Sequence, residues 1–112
     1  MTEEIMNTLL AMFIASDELI LDYMEEDDRA AKLSDIRQYI ESAVEMIAEE
    51  GIELDYGSQA DLRLVTMYAM WLYDKRKTTG SKYTSYYIQN MPRMLRWNMN
   101  NRLFKQKAVD AS

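Results

Sequence analysis

Apolar residues recur along this chain at steps of three and four, and no stretch alternates apolar and polar cleanly over more than a few residues, so the pattern predicts helices and almost no strand. Met6, Leu9, Leu10 and Phe13 place an apolar face on a first helix. Thr2 can cap it, and its opening turn holds Glu3 and Glu4, where the helix dipole favours acids. Leu19, Ile20, Tyr23 and Met24 continue the stripe beyond Ser16, Asp17 and Glu18, and residues 1 to 24 fit either one bent helix or two. The acidic run Glu25, Glu26, Asp27, Asp28 lacks the alternating ligands, central glycine and distal Glu of a calcium loop, and reads as a solvated loop with Asp27 or Asp28 as the next N-cap. Leu33, Ile36, Ile40, Val44 and Ile47 then define an amphipathic helix over residues 29 to 50. Gly51 stops it as a left-handed residue, and Ile52 can cover its last turn.

Ser58-x-x-Asp61 resembles a capping box that opens a helix from about residue 59 to 76. Leu62, Val65, Ala69 and Leu72 draw an inward line on it, while Met67, Tyr68, Met70, Trp71 and Tyr73 make the rest of its circumference apolar. This is the expected central helix. Its second apolar set exceeds what so small a domain can bury, which predicts a subunit interface at Met67, Tyr68, Met70, Trp71 and Tyr73. Residues 74 to 90, DKRKTTGSKYTSYYIQN, read as a polar, basic surface loop carrying Lys75, Arg76, Lys77, Lys82 and Tyr83. The same bases interleaved with Tyr83, Tyr86 and Tyr87 would suit a platform for single-stranded nucleic acid. A last helix is capped by Asn90 and started by Pro92. Leu95, Met99 and Leu103 step by four along it, Met94, Trp97 and Phe104 form an adjoining apolar flank, and Arg93, Arg96, Asn100 and Lys107 form a polar face. The fold class is all-α: one small bundle of about four to five helices, with a body over residues 1 to 90 and a C-terminal helix and tail over residues 91 to 112 that can extend from it.

Composition narrows the chemistry. The 112 residues, 48% apolar, suffice for one core. No cysteine and no histidine occur, which excludes a disulfide scaffold, a thiolate zinc site and the commonest general base. No spacing of Tyr, Lys or carboxylates pairs a nucleophile with a base, so no catalytic residue, metal ligand set or cofactor is expected. The first residues are acidic, unlike a secretory signal, and the longest apolar-rich run, LVTMYAMWLY, spans only residues 64 to 73. A soluble, cytoplasmic chain with no membrane partner is the expectation.

Charge divides by position. Residues 1 to 61 carry 17 acids and three bases, a net of −14, and residues 62 to 112 carry two acids and ten bases, a net of +8, within an overall −6. Such a chain can pair its own halves or the acidic face of one copy with the basic face of the next. The segment MPRMLRWNMNNRLFKQK, residues 91 to 107, has five bases and no acid. A DNA-recognition helix fits poorly in a domain of pI about 4.6, and Asn98, Asn100 and Asn101 spoil a membrane-surface face. What remains is a helix packed on its own core, or one that lays Leu95, Trp97, Met99, Leu103 and Phe104 into a partner protein.

The succession DDRAAKLSDIRQYIESAVEMIAEEGI, LRLVTMYAMWLYDKRK and MPRMLRWNMNNRLF resembles the small head-tail connector proteins of tailed bacteriophages, also filed as DNA-packaging or head-completion proteins. The resemblance covers roughly residues 27 to 105; its marks are Trp71, Tyr73 and Arg76 at the end of one helix, then Leu95-Arg96 and Asn101-Arg102. It implies a non-enzymatic subunit in a ring of about a dozen copies beneath a portal, extending the DNA channel and receiving the next tail-completion or stopper protein. It further implies portal docking by Arg93, Leu95, Arg96, Trp97, Met99, Arg102, Leu103 and Phe104, with Lys75, Arg76, Lys77, Lys82 and Tyr83 in a loop near the channel or tail. DNA would pass without sequence-specific contact, and the protein would be made in the bacterial cytoplasm and reside in the virion. The competing class is a small helical regulator that binds nucleic acid or a protein through its basic C-terminal half.

Overall fold

A computed structural model describes residues 1–17, 21–78 and 91–110, and among them four α-helices and no strand occur. They are α1 (Glu3–Asp17), α2 (Glu26–Glu49), α3 (Gln59–Thr78) and α4 (Arg93–Asp110). The all-α expectation holds.

Thr2 caps α1 as its sequence predicts: the Ile5 amide donates to Thr2 Oγ1 at 3.2 Å and the Met6 amide to the Thr2 carbonyl at 3.0 Å. Met6, Leu9 and Phe13 then bury one face. The helix ends at Asp17, and a short 3-10 turn, Leu21–Tyr23, leads to α2. Leu19 and Ile20 lie outside the described residues. Tyr23, expected in the apolar stripe, is 89% exposed, because the tighter turn breaks the helical period that the stripe assumed.

The acidic run is helix rather than loop. Glu25, with extended backbone, is the N-cap of α2, and Glu26, Asp27 and Asp28 fill its first turn. This corrects the placement of the cap at Asp27 or Asp28. The Glu25 side chain makes no capping bond, so the dipole's attraction for three acids supports the terminus instead. Arg29 ties the preceding turn down, its Nε donating to the Leu21 carbonyl at 2.9 Å. Ile36, Ile40, Ala43 and Ile47 face inward, each large side chain contributing about 1.5–3 kcal/mol through burial. At the far end the amides of Glu50 and Gly51 donate to the Ile47 and Ala48 carbonyls, and Gly51 takes φ +93°.

Ile52, 2% exposed, seals that end. A Cβ at Gly51 would meet Leu103 at an ordinary 3.8 Å, so only the backbone resists substitution. Gly51→Ala is therefore expected to cost about 1–2 kcal/mol in a urea unfolding titration.

α3 is the central element and packs against each of the other helices. Leu62, Leu64, Val65, Thr66, Tyr68, Ala69 and Tyr73 are all buried, which explains an apolar pattern running around the whole helix. Tyr73 is held edge-on by Phe13 and Tyr39, with ring centres 5.6 and 5.5 Å away, and its hydroxyl accepts a hydrogen bond from Lys32. Helix persists through Thr78, so Lys75, Arg76 and Lys77 extend α3 and do not belong to a loop. No glycine or proline occurs between Gln59 and Gly80 to interrupt it. Lys82, Tyr83, Tyr86, Tyr87 and the proposed cap Asn90 lie outside the described residues. Pro92 stands at the N-cap of α4, its carbonyl accepting from the Arg96 amide at 3.0 Å.

Candidate docking face on the C-terminal helix

α4 has two apolar arcs, and its packing on α3 uses only one. Leu95 and Met99 are buried at 2% and 0% exposure, and Leu103 joins them half-buried. Arg102 and Gln106 share this inner side, since they follow Leu95 at steps of seven and eleven. Arg102 Nε donates to Asp61 Oδ1 at 2.8 Å, while its Nη2 reaches the Glu53 carbonyl. The other Asp61 oxygen accepts from the Asp55 amide at 2.8 Å. Gln106 completes the lock: its oxygen accepts from the Glu53 amide and its amide nitrogen donates to the Gly51 carbonyl, both at 2.8 Å. Asp61 is 4% exposed in its side chain, so its charge is satisfied inside the protein.

The expected capping box at residues 58 to 61 is therefore only half formed. Ser58 Oγ accepts from the Asp61 amide at 3.3 Å, but the Asp61 carboxylate turns to Arg102 and Asp55.

The outer arc carries Met94, Trp97 and Phe104, with exposures of 63%, 60% and 75%. With Asn101 they sit at steps of three, four and three, which aligns them on one stripe. Beside it runs a groove between α3 and α4. Arg63, Leu64 and Met67 line one wall; Trp97, Asn101 and Phe104 line the other. Asn98 bridges the groove by donating to Met67 Sδ at 3.7 Å. Arg93 lies with Met94 and Trp97 around a shallow, almost wholly apolar depression at one end of the stripe. Lys105 lies at the other end. Arg63, Arg93 and Lys105 are exposed and form no ion pair among the described residues.

This arrangement divides the residues expected to dock. Arg93, Trp97 and Phe104 face outward. Leu95 and Met99 are core residues, a correction that follows from their place on the arc covered by α3. Arg102 is committed to Asp61, and Arg96 pairs with both carboxylate oxygens of Glu50 at 3.1 and 3.2 Å. The proposed subunit interface divides likewise. Tyr68 and Tyr73 are buried within the protomer, whereas Met67, Met70 and Trp71 are half-buried. Tyr68 meets Trp71 edge-on with ring centres 5.4 Å apart, and the Lys75 ammonium lies over the Trp71 ring, 5.4 Å from its centre.

Burial pushes the Tyr68 hydroxyl above the ordinary tyrosine value, and the nearby Glu50 carboxylate adds to the shift while Arg96 opposes it. A raised folded-state value means that the associated stability is present below the unfolded value of 10.0 and is lost as pH rises through the folded one. In a spectrophotometric titration, Tyr68→Phe is expected to remove a tyrosine ionising later than an ordinary one and to soften the alkaline loss of stability. An unchanged late phase would contradict this assignment.

Elsewhere, α2 presents Glu41, Glu45 and Glu49 at steps of four on an exposed acidic face. Among the described residues, no group of three or more carboxylates is placed to hold a metal ion, and no helix is long and apolar enough to cross a membrane. Searches of family models, curated proteins and solved structures found no match to the chain.

Proposed function

We propose that this chain is a structural head-tail connector subunit of a tailed phage, and that its outward stripe on α4 docks the portal. The observation that carries the docking part is the exposure of Met94, Trp97 and Phe104 on a helix already anchored by its opposite face. Large apolar side chains aligned on one face and rimmed by charge are the usual composition of a protein-binding hot spot. The connector part rests on the sequence resemblance over residues 27 to 105. In this reading the copies form a ring under the portal, continue the DNA channel and join capsid to tail, with the next tail-completion protein on the far side. The acidic face of α2 would keep passing DNA from adhering wherever it borders the channel. The chain performs no catalysis.

Mixing the protein with portal rings tests the proposal. Electron microscopy should show a second ring stacked on the portal, and sedimentation should give one stoichiometric species. Free protein beside unaltered portal would reject the connector.

A second reading is favoured by one observation, the placement of Trp97 and Phe104 among Arg63, Arg93 and Lys105, since aromatics beside bases suit single-stranded nucleic acid. Phosphate contacts make affinity fall steeply with salt, so a titration against DNA at two salt concentrations separates the classes. Tight, salt-sensitive binding by a monomer would replace the connector with a regulator.

A further inference from the structure

We infer that the α4 stripe receives an acidic amphipathic helix of the partner protein. Its apolar side chains would seat on Met94, Trp97 and Phe104, and its carboxylates would face Arg63, Arg93 and Lys105. This rests on the docking role proposed above and adds the chemistry of the occupant.

Three features of the surface specify that chemistry. The stripe from residue 94 to 104 covers about 15 Å of helix axis, enough for apolar anchors spaced at i, i+3 or i+4, and i+7 on an apposed helix. Exposed bases bracket it on three sides: Arg93 at the start, Lys105 at the end and Arg63 across the groove. The acid in the groove wall, Asp61, is withdrawn by its contact with Arg102. A positive rim around an apolar stripe, on a chain of net charge −6, selects negative charge close to apolar anchors.

Other anionic occupants fit less well. A second copy would offer the acidic face of α2, but the exposed large apolar side chain on that helix is Met46 alone, and one anchor does not fill a three-residue stripe. A nucleic acid would stack on Trp97 but leave the Met94 thioether and its apolar depression without a complementary surface.

The test uses the full chain and labelled, stapled model helices of about 14 residues. One presents Leu anchors on a Glu-rich helix, and its twin carries Lys in place of Glu; a single-stranded oligonucleotide is the third probe. Fluorescence anisotropy should show the acidic helix binding at least about tenfold more tightly than the basic twin. The triple variant Arg63→Glu, Arg93→Glu, Lys105→Glu should reverse that preference, and Trp97→Ala with Phe104→Ala should weaken both peptides. No binding of the acidic helix, equal affinity for the twins, or an unchanged preference in the triple variant would overturn the inference. So would tighter binding of the oligonucleotide, or self-association of the free chain that the Trp97→Ala, Phe104→Ala variant abolishes. Any of these results, alongside portal binding that still depends on Trp97 and Phe104, would remove the acidic occupant and leave the docking role standing.

Discussion

Asp61→Ala lowers the unfolding free energy by about 3–5 kcal/mol in a urea titration, the cost of breaking a buried ion pair from one side. The carboxylate accepts from Arg102 and from the Asp55 amide, so its removal leaves two donors without that acceptor. It also loosens α4, because Arg102 joins that helix both to Asp61 of α3 and to the Glu53 carbonyl in the segment between α2 and α3. The double variant Asp61→Ala, Arg102→Ala should lose clearly less than the sum of the two single changes, since each single change strands the other partner. Additive losses would mean that the two side chains act independently.

Met99→Ala is the second large effect, about 2–5 kcal/mol, as expected for truncating a fully buried side chain at a site that collapses only partly. The contrast with its neighbour two residues away is the informative part. Trp97 is larger, yet Trp97→Ala should change stability by only about 0.5 kcal/mol because the residue is 60% exposed. Paired thermal or urea unfolding of the two variants checks both statements. A Trp97→Ala loss equal to that of Met99→Ala would place the indole in the core and remove the docking stripe.

Much of the fold was readable because the helical periods are clear. Ile36, Ile40 and Ile47 marked α2, Gly51 marked its end, and Thr2 marked the start of α1, each through a local rule needing no knowledge of neighbours. Boundaries failed where several residues could serve one role. Four consecutive acids left the α2 cap ambiguous, and a basic, polar tail disguised the last turn of α3.

The candidate site was only half legible for a different reason. Leu95, Met99 and Leu103 announced an apolar line, and Met94, Trp97 and Phe104 a flank, but the covered arc depends on where α3 lies. Tyr68 and Tyr73 looked surplus to a small core because a helix surrounded by three others buries more of its circumference than a surface helix does. The lock between Arg102 and Asp61 did leave a signal. Arg102 follows Leu95 and Met99 on their own arc, and a guanidinium on an inward face needs an acidic partner.

Portal binding by the Trp97→Ala, Phe104→Ala double variant tests the central claim most directly. A loss of affinity of at least about a hundredfold is expected, the scale of two hot-spot truncations, with helical circular dichroism unchanged and the unfolding free energy lowered by no more than about 1 kcal/mol. Wild-type affinity in the folded double variant would contradict it.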